Sequence, residues 1–111
     1  MTLTDANIFR LSPEYACFPL WSVGTDGGLK NAVAHSFGLP KNLADEIEAW
    51  GDIFESTYNS EYPPHSGFDS EGEVLNFKAR GEELKQKLEQ FFGGERTIEF
   101  RVKNVTIRQM S

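Results

Sequence analysis

The spacing of apolar residues in the middle of the chain predicts an amphipathic helix. Five apolar side chains recur at helical intervals and share one face, within roughly 80° of one another: Leu43, Ile47, Trp50, Phe54 and Tyr58. Asn42 precedes them and is the predicted N-cap, because its side chain can accept a hydrogen bond from a free backbone N–H. We therefore predict a helix from Asn42 to about Tyr58 with this face in the core.

A loop and a second amphipathic helix follow. Residues 61–70 contain two prolines and a glycine, which is typical of a loop. Ser70 and Glu73 form the S-x-x-E pattern of a capping box, and Gly93-Gly94 is a stop signal. The apolar face of this helix consists of Val74, Phe77, Gly81, Leu84, Leu88 and Phe92. Gly81 costs about 1 kcal/mol in a helix relative to alanine, so we expect it to permit close approach of another element.

The N-terminal part has patterns typical of β-strands. We predict strands at Asn7–Leu11, Tyr15–Val23 and Leu29–His35. The last two are joined by the turn at residues 24–28, where Asp-Gly supplies the backbone conformation that a hairpin needs. Pro19 either places its strand at a sheet edge or interrupts it.

Alternation of apolar and polar residues returns near the C-terminus. Five side chains are expected to point inward: Ile98, Phe100, Val102, Val105 and Ile107. The alternation reverses at Lys103-Asn104, which indicates a β-bulge or a tight turn, and so either one long bent strand or a short hairpin. The elements together predict a single α+β domain over residues 1–111. Its small antiparallel or mixed sheet, made of the N-terminal hairpin and the C-terminal strand, is covered by the two amphipathic helices.

Charge is distributed very unevenly along this pattern. Residues 42–77, called the acidic segment below, hold nine acidic residues and no Lys or Arg. The rest of the chain holds eight acids and eleven bases, so the formal net charge of −6 comes entirely from this segment. Its acidic residues are Asp45, Glu46, Glu48, Asp52, Glu55, Glu61, Asp69, Glu71 and Glu73.

Four of these carboxylates form a stripe on the first predicted helix, opposite its apolar face: Asp45, Glu48, Asp52 and Glu55. A charged helix face is ordinary in any soluble protein. Here, however, none of the four carboxylates is followed by a Lys four residues later, and like charges at this spacing cost a few tenths of a kcal/mol per pair. This favours a surface that steers a basic partner. We predict a partner-binding surface formed by the stripe, with Glu61 and Asp69 beside it.

The same composition argues against several other functions. A net negative charge disfavours direct binding to nucleic acid. The sequence has neither an apolar run long enough for a membrane span nor a leader pattern, so we expect a cytoplasmic protein without membrane contact. The single cysteine, Cys17, lies in an apolar stretch and is expected to be buried. His35 and His65 lack metal-ligand spacing. We therefore predict no cofactor, no metal and no catalytic activity, although a pair of His65 and Asp69 stays conceivable as an acid–base site.

From Leu20 to the end of the second helix, the chain resembles a recurring pattern in small bacterial proteins. That pattern has a Leu-Trp start, a Gly turn, a Leu-Pro, a helix with Leu, Trp and aromatic residues, a Ser-Gly-Phe loop, and a helix with Phe, Gly and Leu. The matching residues are Leu20, Trp21, Gly27, Leu39, Pro40, Leu43, Trp50, Phe54, Tyr58, Ser66, Gly67, Phe68, Phe77, Gly81, Leu84 and Leu88. Such proteins are similar to immunity proteins of bacterial polymorphic toxin systems, including contact-dependent growth inhibition.

The resemblance implies a protein that binds and neutralises a cognate toxin domain. A nuclease is the favoured toxin, because its basic active-site cleft would accept an acidic face. The alternative is a small structural or regulatory interaction protein. It would be homodimeric through the sheet edge at residues 98–107, although a monomer is favoured. An enzyme that uses His65 or Cys17 ranks last.

Overall fold

A computed structural model, which describes residues 8–109, contains one four-stranded sheet. The strands are β1 (Ile8–Leu11), β2 (Leu20–Val23), β3 (Leu29–Asn31) and β4 (Thr97–Phe100). They lie in the order β3-β2-β1-β4, with β4 parallel to β1 and the other neighbours antiparallel. The predicted combination of an N-terminal hairpin with a C-terminal strand in a mixed sheet is confirmed.

One face of the sheet is buried by two helices, α1 (Lys41–Glu55) and α2 (Glu71–Phe91). The strand register places Phe9 beside Ile98 and Leu11 beside Leu20, and all four side chains belong to the hydrophobic core. The apolar faces predicted for the helices lie in the same core, apart from Tyr58 and from Phe92, which is partly buried against the core just after the second helix. The α+β fold is therefore as the sequence predicted.

Trp50 is the central residue of this core. Its side chain is fully buried, its ring stacks on Phe77 at a centroid distance of 4.6 Å, and its Nε1 donates a 2.9 Å hydrogen bond to the Phe77 carbonyl. Gly81 permits this arrangement, because a Cβ there would lie 2.6 Å from both Trp50 Cζ2 and Phe100 Cε1. The close approach that we predicted at Gly81 is confirmed.

The N-terminal hairpin is shorter than the sequence predicted. Residues 15–19 are not a strand, because Ala16 adopts a positive φ of 63° and Pro19 lacks the N–H that a ladder needs. The third strand ends at Asn31, and residues Ala34–Phe37 form a 3-10 turn that buries Ala34 and Phe37. Core burial of these two side chains outweighs the extended propensity of the segment. Asn7, the predicted start of the first strand, lies outside the described residues.

The limits predicted for the first helix are wrong at both ends. The N-cap position is occupied by Pro40 rather than Asn42, and no side chain caps the helix there. At the other end, the hydroxyls of Ser56 and Thr57 donate hydrogen bonds to the carbonyls of Ile53 and Phe54. In a further helical turn, these carbonyls would have accepted from backbone N–H groups instead.

Tyr58, predicted to lie on the apolar face of this helix, therefore follows the helix. Its side chain is 45% exposed, although its ring still contacts Tyr15 at a centroid distance of 5.1 Å.

The boundaries of α2 follow the predicted signals. Ser70 is the N-cap, and its Oγ accepts a 3.2 Å hydrogen bond from the Glu73 N–H. The helix ends at Phe91, and Gly93 and Gly94 then adopt φ values of 62° and 80°. These conformations suit glycine because it has no Cβ. Both of the predicted end signals are confirmed.

The C-terminal segment contains the tight turn that was one of the two predicted alternatives. Val105 N donates to the Val102 carbonyl at 3.1 Å across Lys103-Asn104. Neither a long strand nor a hairpin results, because the chain after the turn pairs instead with the loop before α2, through a parallel bridge between Phe68 and Ile107. Ile107 is 44% exposed, so its predicted inward position is wrong.

In the described part of the chain, neither helix combines the length and apolar character that a bilayer crossing requires.

Candidate functional site

Ion pairs with bases that lie outside the acidic segment neutralise three of its carboxylates. Lys87, on α2, reaches Glu46 at 2.6 Å, and Arg108, near the C-terminus, reaches Asp69 at 3.0 Å. Asp45 is paired with Lys41, one turn earlier on α1, at 2.7 Å. Bases that are absent from the segment are thus supplied by the residues around it.

Asp45 has a second partner. His35 Nε2 lies 2.6 Å from Asp45 Oδ1, so the carboxylate lies between a lysine and a histidine. Hydrogen bonds from Lys41 and, to a lesser extent, from His35 hold the pKa of Asp45 below its ordinary value. Asp45 is therefore ionised but already compensated, and it contributes less to the outward field than the sequence predicted.

Glu48 and Glu55 accept hydrogen bonds from the backbone of the N-terminal segment. Glu48 Oε2 accepts from the Ala34 N–H at 2.7 Å, and Glu55 Oε1 accepts from the Ala16 N–H at 3.0 Å. These contacts attach the 3-10 turn and the loop at residues 14–19 to α1. A backbone N–H carries no net charge, so both carboxylates keep their full negative charge.

Asp52 lies between these two glutamates on α1 and is exposed. Among residues 8–109, its side chain has neither a hydrogen bond nor an ion pair. Glu48, Asp52 and Glu55, called the carboxylate strip below, follow one side of the helix at spacings of four and three residues. No Lys, Arg or His of the described chain forms an ion pair with any of them.

Glu61 and Asp69, the two loop residues of the predicted binding surface, differ in whether their carboxylates are paired. Glu61 is exposed, and only its backbone N–H has a partner, the Asn59 side chain. Asp69 is bound by Arg108, as described above. No contact in the described structure joins either residue to the carboxylate strip, so the structure does not bring all six predicted residues together.

A groove of about 820 Å³ lies between the C-terminal half of α1 and the N-terminal half of α2. Its floor contains the buried rings of Trp50, Phe68 and Phe77. Ile53 and Tyr58, which are 44% and 45% exposed, give it an apolar rim.

This groove was not predicted from the sequence. One signal was available: Ile53 is an isoleucine outside the apolar face of its helix. The other residue of the apolar rim, Tyr58, was assigned to the core.

Comparison with protein families identifies the chain. A family described as Serratia CdiI immunity protein-like matches residues 7–103, a range that contains every strand and both helices. The chain belongs to this family. The predicted resemblance to an immunity protein of contact-dependent growth inhibition is thereby confirmed, and membership implies a cognate toxin as the partner. Comparison with curated proteins gave no match.

The two candidate catalytic residues of this immunity protein, Cys17 and His65, lie in different environments. Cys17, predicted to be buried, is exposed, because the loop at residues 14–19 turns it away from the core. His65 is half-buried, packs edge-on against Tyr62 at a centroid distance of 4.3 Å, and lines the groove, as Asp69 does. Within residues 8–109, no three His, Cys, Asp or Glu side chains are grouped closely enough to hold a metal ion.

The sheet edge considered for homodimerisation is short. β4 is an edge strand, as that hypothesis requires, but it contains only the four residues Thr97–Phe100. Beyond it the chain turns at Lys103-Asn104 towards Phe68. A second chain would therefore find four residues of strand here, rather than the ten of the predicted edge.

Proposed function

We propose that this immunity protein neutralises its cognate toxin in the cytoplasm by docking the acidic side of α1 on the toxin's basic active-site cleft, and that the toxin is a nuclease. The observation that carries the proposal is the carboxylate strip, in which Glu48, Asp52 and Glu55 have no cationic partner. Asp45 extends the strip at one end, and Glu61 and Asp69 contribute at the periphery.

Electrostatics explains why such a surface suits an inhibitor of a nuclease. A nuclease must attract phosphate, so its cleft is lined by Lys and Arg side chains. Carboxylates placed over that cleft accelerate association and form charge-assisted hydrogen bonds with the same side chains. Occlusion of the cleft is sufficient for protection, and no catalytic step by the immunity protein is needed.

Within the strip, the three carboxylates have different freedom to bind. Asp52 has no partner to lose, so a toxin cation meets it without breaking an existing contact. Glu48 and Glu55 each have one oxygen on a backbone N–H and a second oxygen available. Since a carboxylate accepts at both oxygens, they bind a cation and keep their loops attached at the same time.

The test uses the toxin domain encoded immediately upstream of this protein. We expect the two proteins to co-purify, the immunity protein to protect growing cells, and stoichiometric amounts of it to stop the toxin domain from degrading RNA or DNA. Absence of a complex and of protection would contradict the proposed function. A toxin that is neutralised but degrades no nucleic acid would contradict only the assignment as a nuclease.

The role of the strip is tested by the triple variant Glu48→Gln, Asp52→Asn and Glu55→Gln. Each amide retains an oxygen acceptor for the backbone N–H groups, so charge is removed with little effect on the loops. We expect affinity to fall about tenfold or more. The matched control neutralises three exposed carboxylates outside the acidic segment: Glu82→Gln, Glu83→Gln and Glu95→Gln. Equal affinities of the two triple variants would show that the strip is not the interface.

A further inference from the structure

The groove and the carboxylate strip share one helix. Asp52 belongs to the strip and the next residue, Ile53, belongs to the groove rim, since successive residues of an α-helix point about 100° apart. Ile53 points about 140° and 160° away from Glu48 and Glu55, so a partner reaches the groove opening when it extends from the strip around α1 past Asp52. Ile53 and Tyr58 are large apolar side chains that remain nearly half exposed there. Exposed apolar side chains of this kind mark surfaces on which binding of a partner is favourable, because it removes them from water.

The wall of the groove on α2 has unused hydrogen-bonding groups. Asn76 and Arg80 lie one turn apart on this wall, and in the described structure neither side chain has a hydrogen bond or an ion pair. Of the two acidic side chains that line the groove, Asp69 is bound by Arg108, whereas Glu73 accepts only the Asp69 N–H on one oxygen and keeps its negative charge. The groove thus offers a free guanidinium and a free amide opposite an apolar rim.

We propose that this groove receives a projecting segment of the cognate toxin in which a large apolar side chain lies next to a carboxylate. The inference rests on the proposed function and names the second part of the same interface. The apolar side chain covers Ile53 and Tyr58, and the carboxylate pairs with Arg80, whose planar guanidinium binds a carboxylate through two parallel hydrogen bonds.

The positive charge of Arg80 explains how the groove adds specificity for one toxin over others. The carboxylate strip attracts any basic surface, which many toxins that bind nucleic acid share. Arg80 requires the opposite charge at a defined distance from the strip, and it repels a partner that presents Lys or Arg at that position. Discrimination between toxins follows from this combination of attraction and repulsion.

Affinity measurements with the upstream toxin domain test the inference. We expect Ile53→Asp and Arg80→Glu each to weaken binding about 30-fold or more, mainly through faster dissociation, because buried anchors dominate interface energy. Two controls are matched to them: Leu75→Asp alters a 59% exposed apolar residue of α2 outside the groove, and Lys78→Glu reverses a charge about 200° around the same helix from Arg80. Both controls should stay within about threefold of wild type.

The outcomes separate this inference from the proposed function. If wild type binds the toxin domain and both groove variants bind equally well, the groove is not part of the interface, while the proposed function stands. If wild type does not bind, both proposals fail. Urea unfolding of each variant checks that it is folded, and Ile53→Ala replaces Ile53→Asp if the latter is not.

A photo-crosslinking amino acid at Asn76 tests the chemistry of the occupant. The toxin peptide attached to it should contain a large apolar residue adjacent to Asp or Glu. Attachment of a Lys- and Arg-rich peptide without a carboxylate would overturn the inference.

Discussion

At the scale of single residues, Glu48 and Glu55 combine a structural role with the proposed binding role. Each accepts a backbone hydrogen bond from a segment more than ten residues away in sequence, and each also keeps an uncompensated negative charge. Substitution by lysine would remove both properties together, whereas glutamine removes only the charge. Variants at these positions therefore report on binding only when the acceptor oxygen is preserved.

Gly81 provides a residue-scale prediction about stability. Alanine is the better helix former by about 1 kcal/mol, but in Gly81→Ala its Cβ would lie 2.6 Å from the rings of Trp50 and Phe100. Overpacking of a close-packed core costs about 1–3 kcal/mol, so we expect a net loss in the free energy of unfolding. Urea denaturation followed by tryptophan fluorescence measures it.

The control for this prediction is Gly72→Ala, at the start of the same helix. Its nearest neighbour to an added Cβ is Ser70 Oγ at 3.9 Å, so only the helix propensity changes. We expect unchanged or slightly higher stability for Gly72→Ala. Equal effects at the two glycines would contradict the steric explanation.

At the scale of elements, the two helices begin in different ways. α2 has a side-chain cap, in which Ser70 Oγ accepts from the Glu73 N–H and the Glu73 carboxylate accepts from the Asp69 N–H. α1 begins after Pro40, whose φ of −55° leads into the helix without a capping side chain. Asn42 therefore lies inside the first turn, where its side chain caps nothing.

This difference predicts opposite results for two similar substitutions. Ser70→Ala should lower the free energy of unfolding by about 1 kcal/mol, because the Glu73 N–H loses its acceptor. Asn42→Ala should be neutral or slightly stabilising, since alanine is the better helix former. Urea unfolding measures both, and hydrogen exchange at the Glu73 amide should accelerate only in Ser70→Ala. A loss at Asn42 as large as that at Ser70 would show that Asn42 caps α1 after all.

At the scale of the whole molecule, the fold redistributes charge. The acidic segment carries a formal charge of −9 and the rest of the chain +3, but Lys87 and Arg108 from outside the segment neutralise two of its carboxylates. What remains uncompensated on α1 is the strip of Glu48, Asp52 and Glu55. On α1, the uncompensated charge is therefore concentrated on one side of the helix.

This concentration predicts a salt-dependent association with the toxin domain. The association rate constant should fall between about 0.05 and 0.5 M NaCl, because screening shortens the range of the field to less than about 10 Å, while the dissociation rate constant changes less. Stopped-flow mixing measures both constants. The triple variant of the strip, with its three charges removed, should show a shallower dependence on salt. The same slope for wild type and the triple variant would exclude steering by the strip.

Much of the architecture follows from local patterns. The apolar spacing of both helices, the cap at Ser70, the glycines that end α2 and the turn at residues 24–28 are all evident in the sequence and present in the structure. Each depends on residues within a few positions of one another, which is why propensity and spacing suffice to find them. Predictions failed where core burial competed with local preference, as in the 3-10 turn Ala34–Phe37.

By itself, the sequence determined the fold class, the acidic character of the middle segment and the resemblance to immunity proteins. Only the tertiary structure decided which carboxylates stay uncompensated and where the groove lies. The reason is distance along the chain: Lys87 is 41 residues from Glu46, and the groove combines residues of two helices and the loops around them. Such contacts leave no periodicity in the sequence, because they form only when the helices pack together on the sheet.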